Sequence, residues 1–201
     1  MNKRIGLKKM GILLMVFLMT LVLFGCSNKK ENYEEKENHE KVQLQNDKNE
    51  EPKDKTGVFI GDKAYDFTLL DREGNEIKLS DLKGKVVFLN FWTIWCGTCS
   101  KEMPYIQEIY EQYKDKDVVI AAVNVLGAEK VDMEGVNKFL DEKGYTFPVL
   151  YDVDGEVSVQ YKVRAFPTTY IINKEGYIAD FITEAMDKEM MTEKIENAMN
   201  Q

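Results

Sequence analysis

The chain has 201 residues, 44% of them hydrophobic and 31% charged, which suits one globular domain with additional material and excludes two full domains. Its formal net charge is −8. That acidic balance excludes nucleic acid as a partner, because a phosphate-binding surface needs clustered lysine and arginine.

In chain order, "MNKRIGLKKM" is a positive stretch, "GILLMVFLMTLVLF" an uncharged apolar run, and "LFGC" puts a small residue directly before Cys26. The layout is that of a secretory signal, and its apolar run falls short of the roughly 20 residues a helix needs to cross a bilayer. The ending resembles a bacterial lipobox, in which the signal, here residues 1–25, is cut before the cysteine and the new terminal Cys26 carries a diacylglycerol. The alternative is an uncleaved signal anchor, with Cys26 idle at the membrane surface. Both readings put the rest of the chain outside the cytoplasm. Residues 26–56 then mix Glu, Lys and Asn with almost nothing apolar, so they cannot offset the entropy of ordering and read as a disordered, charged tether. His39, the only histidine, lies in this stretch and reads as inert.

The folded domain is expected over residues 57–201, with no internal repeat. "DFTLLD" and "EIKLS" alternate as strands around the turn residues "EGN", a hairpin signal. "KVVFLNFW" is a short continuous apolar run, as expected of a strand buried on both faces. "SKEMPYIQEIYEQYK" has apolar residues at Met103, Ile106, Ile109 and Tyr110, a helical period. "DVVIAAVNVL" is a second buried strand, and "DMEGVNKFLDEKG" a helix with Val136, Phe139 and Leu140 on its apolar side and Gly144 at its end. "EVSVQYKV" fits a strand by composition and a short helix by position. "TTYIINKEGYIADFI" reads as a hairpin about residues 174–176, and "DKEMMTEKIENAMN" as a closing helix whose Met190, Met191, Ile195, Ala198 and Met199 serve core packing. Strands alternating with helices give an α/β sandwich with a central sheet.

The chemistry is concentrated in "NFWTIWCGTCSKEMP", where Cys96 and Cys99 stand two residues apart. A structural zinc site needs four Cys or His ligands, and Cys26 and His39 lie elsewhere, so no metal is expected. Covalent haem attachment asks for His after the second cysteine, and Ser100 is there instead. A purely structural disulfide closes too short a loop to gain much in the loop-closure model. The redox reading has a mechanism. Cys96 falls where a buried strand ends and a helix begins, so the free N–H groups and positive end of the helix stabilise its thiolate. Cys96 then attacks a partner's disulfide, and Cys99, one turn along, resolves the mixed disulfide.

Together these segments resemble the TlpA/ResA group of bacterial thiol-disulfide oxidoreductases, membrane-tethered proteins of thioredoxin fold. The resemblance rests on "LNFWTIWCGTC", Pro104 in the following helix, "FPTTYIINKEG" and "DFTLLDREGNEIKLSDLKGK", and it covers nearly all of residues 57–201. It implies an α/β, thioredoxin-like fold with an N-terminal β-hairpin extension and a central strand-helix insertion over "AEKVDMEGVNKFLDEKGYTFPVLYD". Pro167, in "AFPTT", matches the family's cis-proline, beside which the backbone of Phe166 pairs with substrate; the plain alternative is a trans proline opening a strand. Trp95 covers the cysteines and shapes the docking surface with Gly97 and Thr98, or simply packs at the strand end.

Two departures bear on mechanism. Where thioredoxin has a buried Asp before the motif, this chain has Asn90, which cannot take a proton. Glu102 is three residues beyond Cys99, so the two share a helix face, and ResA-like proteins carry a Glu at this position; Glu102 is therefore the expected proton acceptor for Cys99. Gly97-Thr98 also replaces the Gly-Pro of thioredoxin, so its potential of about −270 mV does not transfer. The resemblance further implies protein disulfide substrates, among them apocytochrome c, spore-envelope proteins and secreted methionine sulfoxide reductases. It implies a membrane electron donor of the CcdA or DsbD type, no cofactor beyond the Cys96–Cys99 disulfide, and a monomer anchored by its lipid to the outer face of the cytoplasmic membrane. The competing functions are a disulfide-forming oxidase, a thiol peroxidase of the peroxiredoxin-related group, and a non-enzymatic surface lipoprotein with a structural disulfide.

Overall fold

A computed structural model of the chain describes residues 55–201. The signal segment, Cys26, His39 and nearly all of the charged stretch lie outside the described residues. The chain opens with a short parallel pair, β1 (Thr56–Gly57) and β2 (Lys63–Ala64). The expected hairpin follows as β3 (Thr68–Asp71) and β4 (Glu76–Lys78), antiparallel with Thr68 opposite Lys78. Its turn is fixed by the Asp71 carboxylate, which accepts from the Glu73 and Asn75 N–H groups at 2.9 and 2.8 Å, and by Gly74 at φ +84°.

Then come β5 (Val86–Trp92), α1 (Gly97–Tyr113), β6 (Val118–Asn124), α2 (Met133–Lys143), β7 (Val149–Tyr151), α3 (Glu156–Gln160), β8 (Thr168–Ile172), β9 (Ile178–Ile182) and α4 (Lys188–Met199). Seven strands form one mixed sheet in the order β4-β3-β7-β6-β5-β8-β9. β5, β6 and β7 run parallel, and the pairs β3–β7, β5–β8 and β8–β9 are antiparallel. β6 is the central strand and β5 lies beside it, flanked by β6 and β8, which is why the sequence of β5 is apolar without interruption apart from Asn90. The insertion consists of α2 and β7, helix before strand, placed between β6 and α3.

The two-residue period of β5 divides the core into two layers. Val86, Phe88 and Trp92 pack with Met103, Ile106 and Ile109 of α1, Val136 and Leu140 of α2, and Met191, Ile195 and Ala198 of α4. Val87, Leu89 and Phe91 pack on the other side with Phe67, Leu79, Val157, Tyr161 and Tyr170. Each fully buried side chain of this size contributes about 1.5–3 kcal/mol relative to exposure. Asn90 falls on the same side as Phe88 and Trp92, so the alternation aims a polar group at α1.

Helix ends follow their local chemistry. The carboxylates of Asp132 and Asp187 accept from the Gly135 and Met190 N–H groups, each at 2.9 Å, and so cap α2 and α4. Gly144 closes α2 in the left-handed conformation at φ +70°. "EVSVQYKV" resolves in favour of a helix: buried Asp152 accepts from the Val157 and Ser158 N–H groups at 3.2 and 2.8 Å, and Val157 and Tyr161 face the core one turn apart. Among the described residues no helix is long and apolar enough to cross a membrane.

Candidate active site

The C-terminal end of β5 leads through a short loop into α1, and Cys96 is the residue that caps that helix, with extended backbone at φ −78° and ψ 105°. The extended residue turns its side chain back over the first helical turn, where the N–H groups have no intrahelical acceptor. The Cys99 N–H accordingly donates to Cys96 Sγ at 3.0 Å. Cys96 and Cys99 are joined by a disulfide bond. Cys96 is 5% exposed and Cys99 0%, so an incoming group reaches only Cys96.

The other residues singled out in the sequence surround this sulfur. Thr98 Oγ1 lies 3.3 Å from Cys96 Sγ and donates to the Phe166 carbonyl at 3.3 Å. The Phe166–Pro167 peptide bond is cis. Trp95 is 55% exposed, sets its ring edge-on to Phe166 with centroids 5.7 Å apart, and donates from Nε1 to the Ala128 carbonyl at 3.0 Å. It flanks the disulfide without sealing it. Gly97 meets no atom within 4 Å of the position a Cβ would take, so space alone does not demand glycine there.

Beneath the disulfide, Glu102 projects from α1 into the core and is only 1% exposed. Its Oε1 accepts from Asn90 Nδ2 at 2.8 Å and its Oε2 from the Met186 N–H at 3.1 Å. Asn90 Nδ2 also donates to Thr169 Oγ1 at 2.9 Å. Burial pushes the Glu102 carboxyl up to about 7 from its ordinary 4.5, and the two hydrogen bonds only partly oppose that rise. The group therefore changes charge near neutral pH. Asn90 holds no proton for exchange; it serves as a donor that orients the acid.

Four contributors were not anticipated: Thr169, the Met186 backbone, Asn124 and Glu129. Asn124 had a signal, a polar residue closing a buried strand. Glu129 had none, since "GAEKVD" reads as an ordinary solvated loop. Among the described residues, no group of three or more His, Cys, Asp or Glu side chains is placed to hold a metal ion.

The AhpC/TSA family model matches residues 60–181. The thiol-disulfide oxidoreductase ResA of Geobacillus kaustophilus (strain HTA426) is 44% identical over 144 residues, covering 72% of this chain and 80% of that protein. The chain belongs to the ResA-like thiol-disulfide oxidoreductase family. The ResA of Bacillus subtilis (strain 168) is 43% identical over 137 residues, 68% of this chain and 74% of that protein. Among solved structures, StoA from Bacillus subtilis matches with a TM-score of 0.59 at 30% identity, covering 65% of this chain and 96% of its own. The pneumococcal exposed lipoprotein thioredoxin Etrx1 from Streptococcus pneumoniae strain TIGR4 matches at 0.60 and 30%, covering 66% and 98%. This ResA-like chain thus has the thioredoxin-like fold and is a protein-disulfide oxidoreductase.

Proposed function

We propose that Cys96 and Cys99 form the redox couple of an extracytoplasmic, membrane-tethered oxidoreductase that reduces disulfides in exported proteins. The observation that carries this reading is the position of Cys96 Sγ, at the N-terminus of α1 within reach of the Cys99 N–H, while Cys99 is sealed behind it. A thiolate at that point is stabilised by the first-turn N–H groups and the helix dipole.

In the reduced protein, the Cys96 thiolate attacks a substrate disulfide, forming a mixed disulfide and expelling one substrate thiolate. Cys99, deprotonated by Glu102, then attacks Cys96 Sγ and expels the second, leaving the protein oxidised and the substrate reduced by two electrons. Glu102 accepts a proton only as carboxylate, so its rise to about 7 keeps it poised between both states at neutral pH. Trp95, Gly97, Thr98, Phe166 and Pro167 form the docking surface around Cys96. A membrane protein of the CcdA or DsbD type returns the electrons, because cytoplasmic thioredoxin is on the wrong side of the membrane. Apocytochrome c, spore-envelope proteins and secreted methionine sulfoxide reductases are the substrate classes, and each docks transiently on the monomer. Residues 1–25 act as a lipoprotein signal, Cys26 carries the lipid, and residues 26–56 are the tether to the domain at 57–201. The exposed lipoprotein character of Etrx1 supports that arrangement.

The test is the reduction potential of the purified protein, read by tryptophan fluorescence in graded thiol buffers, followed by trapping of substrates on Cys99→Ala. A potential at or below about −220 mV and stable mixed disulfides on Cys96 are expected; a value near about −120 mV makes the protein an oxidase. Consumption of peroxide without any protein substrate points to a peroxidase instead.

A further inference from the structure

After β6 the chain makes a 3₁₀ turn, Leu126–Ala128, and returns Glu129 against the loop that carries the cysteines. One oxygen of Glu129, Oε1, accepts two hydrogen bonds: from the Ile94 backbone N–H at 2.6 Å and from Asn124 Nδ2 at 2.8 Å. Ile94 stands two residues before Cys96. Asn124 is fully buried at the end of β6, in register with Trp92 at the end of β5. The residue before Glu129 repeats the link, since the Ala128 carbonyl accepts from Trp95 Nε1 at 3.0 Å. Ala128 and Glu129 thus hold Trp95 and Ile94 together, one through backbone and one through side chain.

A glutamate on a surface loop ordinarily turns its oxygens to water. Glu129 is half-buried and commits Oε1 to a backbone donor and a buried amide. Phe166 meets the same loop through the Trp95 ring and the first turn of α1 through the Thr98 hydroxyl. The loop between β5 and α1 is consequently held at both Ile94 and Trp95, and Glu129 supplies the hold on Ile94.

We propose that Glu129 is a positioning residue of the active site, fixing the Ile94–Trp95 segment and hence the approach to Cys96, so that the loop entering the central insertion is mechanically part of the site. The inference rests on the redox reading of Cys96. It acts through hydrogen bonding and not through charge, because one neutral oxygen can accept both bonds.

The experiment compares Glu129→Ala and Glu129→Gln in the full chain. Glutamine keeps an acceptor oxygen at the same reach, whereas alanine leaves the Ile94 N–H and the Asn124 amide without it. Disulfide exchange is followed with insulin as the probe, and the indole N–H resonances of the two tryptophans report on Trp95 directly. Glu129→Ala is expected to slow exchange about tenfold, roughly the worth of one such hydrogen bond, and to move the Trp95 resonance. Glu129→Gln is expected to recover the rate to within about threefold and to restore the resonance. A wild-type rate in Glu129→Ala overturns the proposal, even if thermal stability falls, because the residue then only packs. Equal impairment of both variants also overturns it and assigns the effect to charge. If the wild-type chain itself exchanges no disulfide, the redox reading fails first; if it does and Glu129→Ala matches it, only the positioning role fails.

Discussion

Replacing Glu102 with glutamine removes a titrating group from the core at almost no change in size. In the folded chain the carboxyl binds its proton more tightly than in the unfolded chain, with its pKa raised from 4.5 to about 7. Burial of this group therefore leaves stability undiminished below the unfolded value and diminishes it progressively as pH rises through the folded one. Each unit is worth about 1.4 kcal/mol, so the wild-type fold loses about 3 kcal/mol from this residue between about pH 4.5 and about pH 8. Glutamine can keep the bond from Asn90 but sets its amide against the Met186 N–H, a donor facing a donor, at a cost of about 1–2 kcal/mol that does not depend on pH. That cost cancels when one variant is compared with itself at two pH values. Urea denaturation of the oxidised wild type and Glu102→Gln at both pH values gives the difference. The expected result is a pH-dependent loss smaller by about 3 kcal/mol in the variant. Matching pH dependences within about 0.5 kcal/mol would refute the argument that burial holds this acid's proton.

Three further outcomes are expected. Asp152→Ala strips the acceptor from two buried N–H groups at the start of α3, and should lower stability by about 3 kcal/mol in urea denaturation. Gly144→Ala places a Cβ on a residue at φ +70°, and a loss of about 1 kcal/mol should appear in the same assay. For the chemistry, insulin reduction by the wild type should accelerate as pH rises through about 7, when Glu102 becomes a carboxylate, and Glu102→Gln should show no inflection there.

How far the sequence reached can be read from particular residues. β5 and β6 were legible because strands buried on both faces are apolar without a break, and α2 because its aspartate cap and terminal glycine mark both ends. The pairing of Cys96 with Cys99 was legible because it is local, within the first turn of one helix, whereas the partners of Glu102, Asn90 and the Met186 N–H, come from distant parts of the chain. "EVSVQYKV" stayed open because the group that decides it, Asp152, lies before the segment and acts only once β7 has brought it to the start of α3. Glu129 was invisible for a related reason: its partner Ile94 is 35 residues away, and nothing in a charged loop announces a backbone donor across a fold. The order of α2 and β7 within the insertion likewise depends on which short apolar run finds a sheet edge.

The seat of the buried acid has one more consequence. Where a titrating residue stands on a strand and the thiol on a helix, any sliding of helix against sheet changes the distance between them. Glu102 stands three residues beyond Cys99 on α1, so their backbones move as one body. A partner that docks on Trp95 and Phe166 and tilts the start of that helix alters the route to the outer sulfur while leaving the backbone spacing of Cys99 and Glu102 unchanged. On the proposed role of Glu102, docking at the surface then leaves the spacing of thiol and acid along the helix intact, and what it can strain is the bond from Asn90 on β5 to the acid.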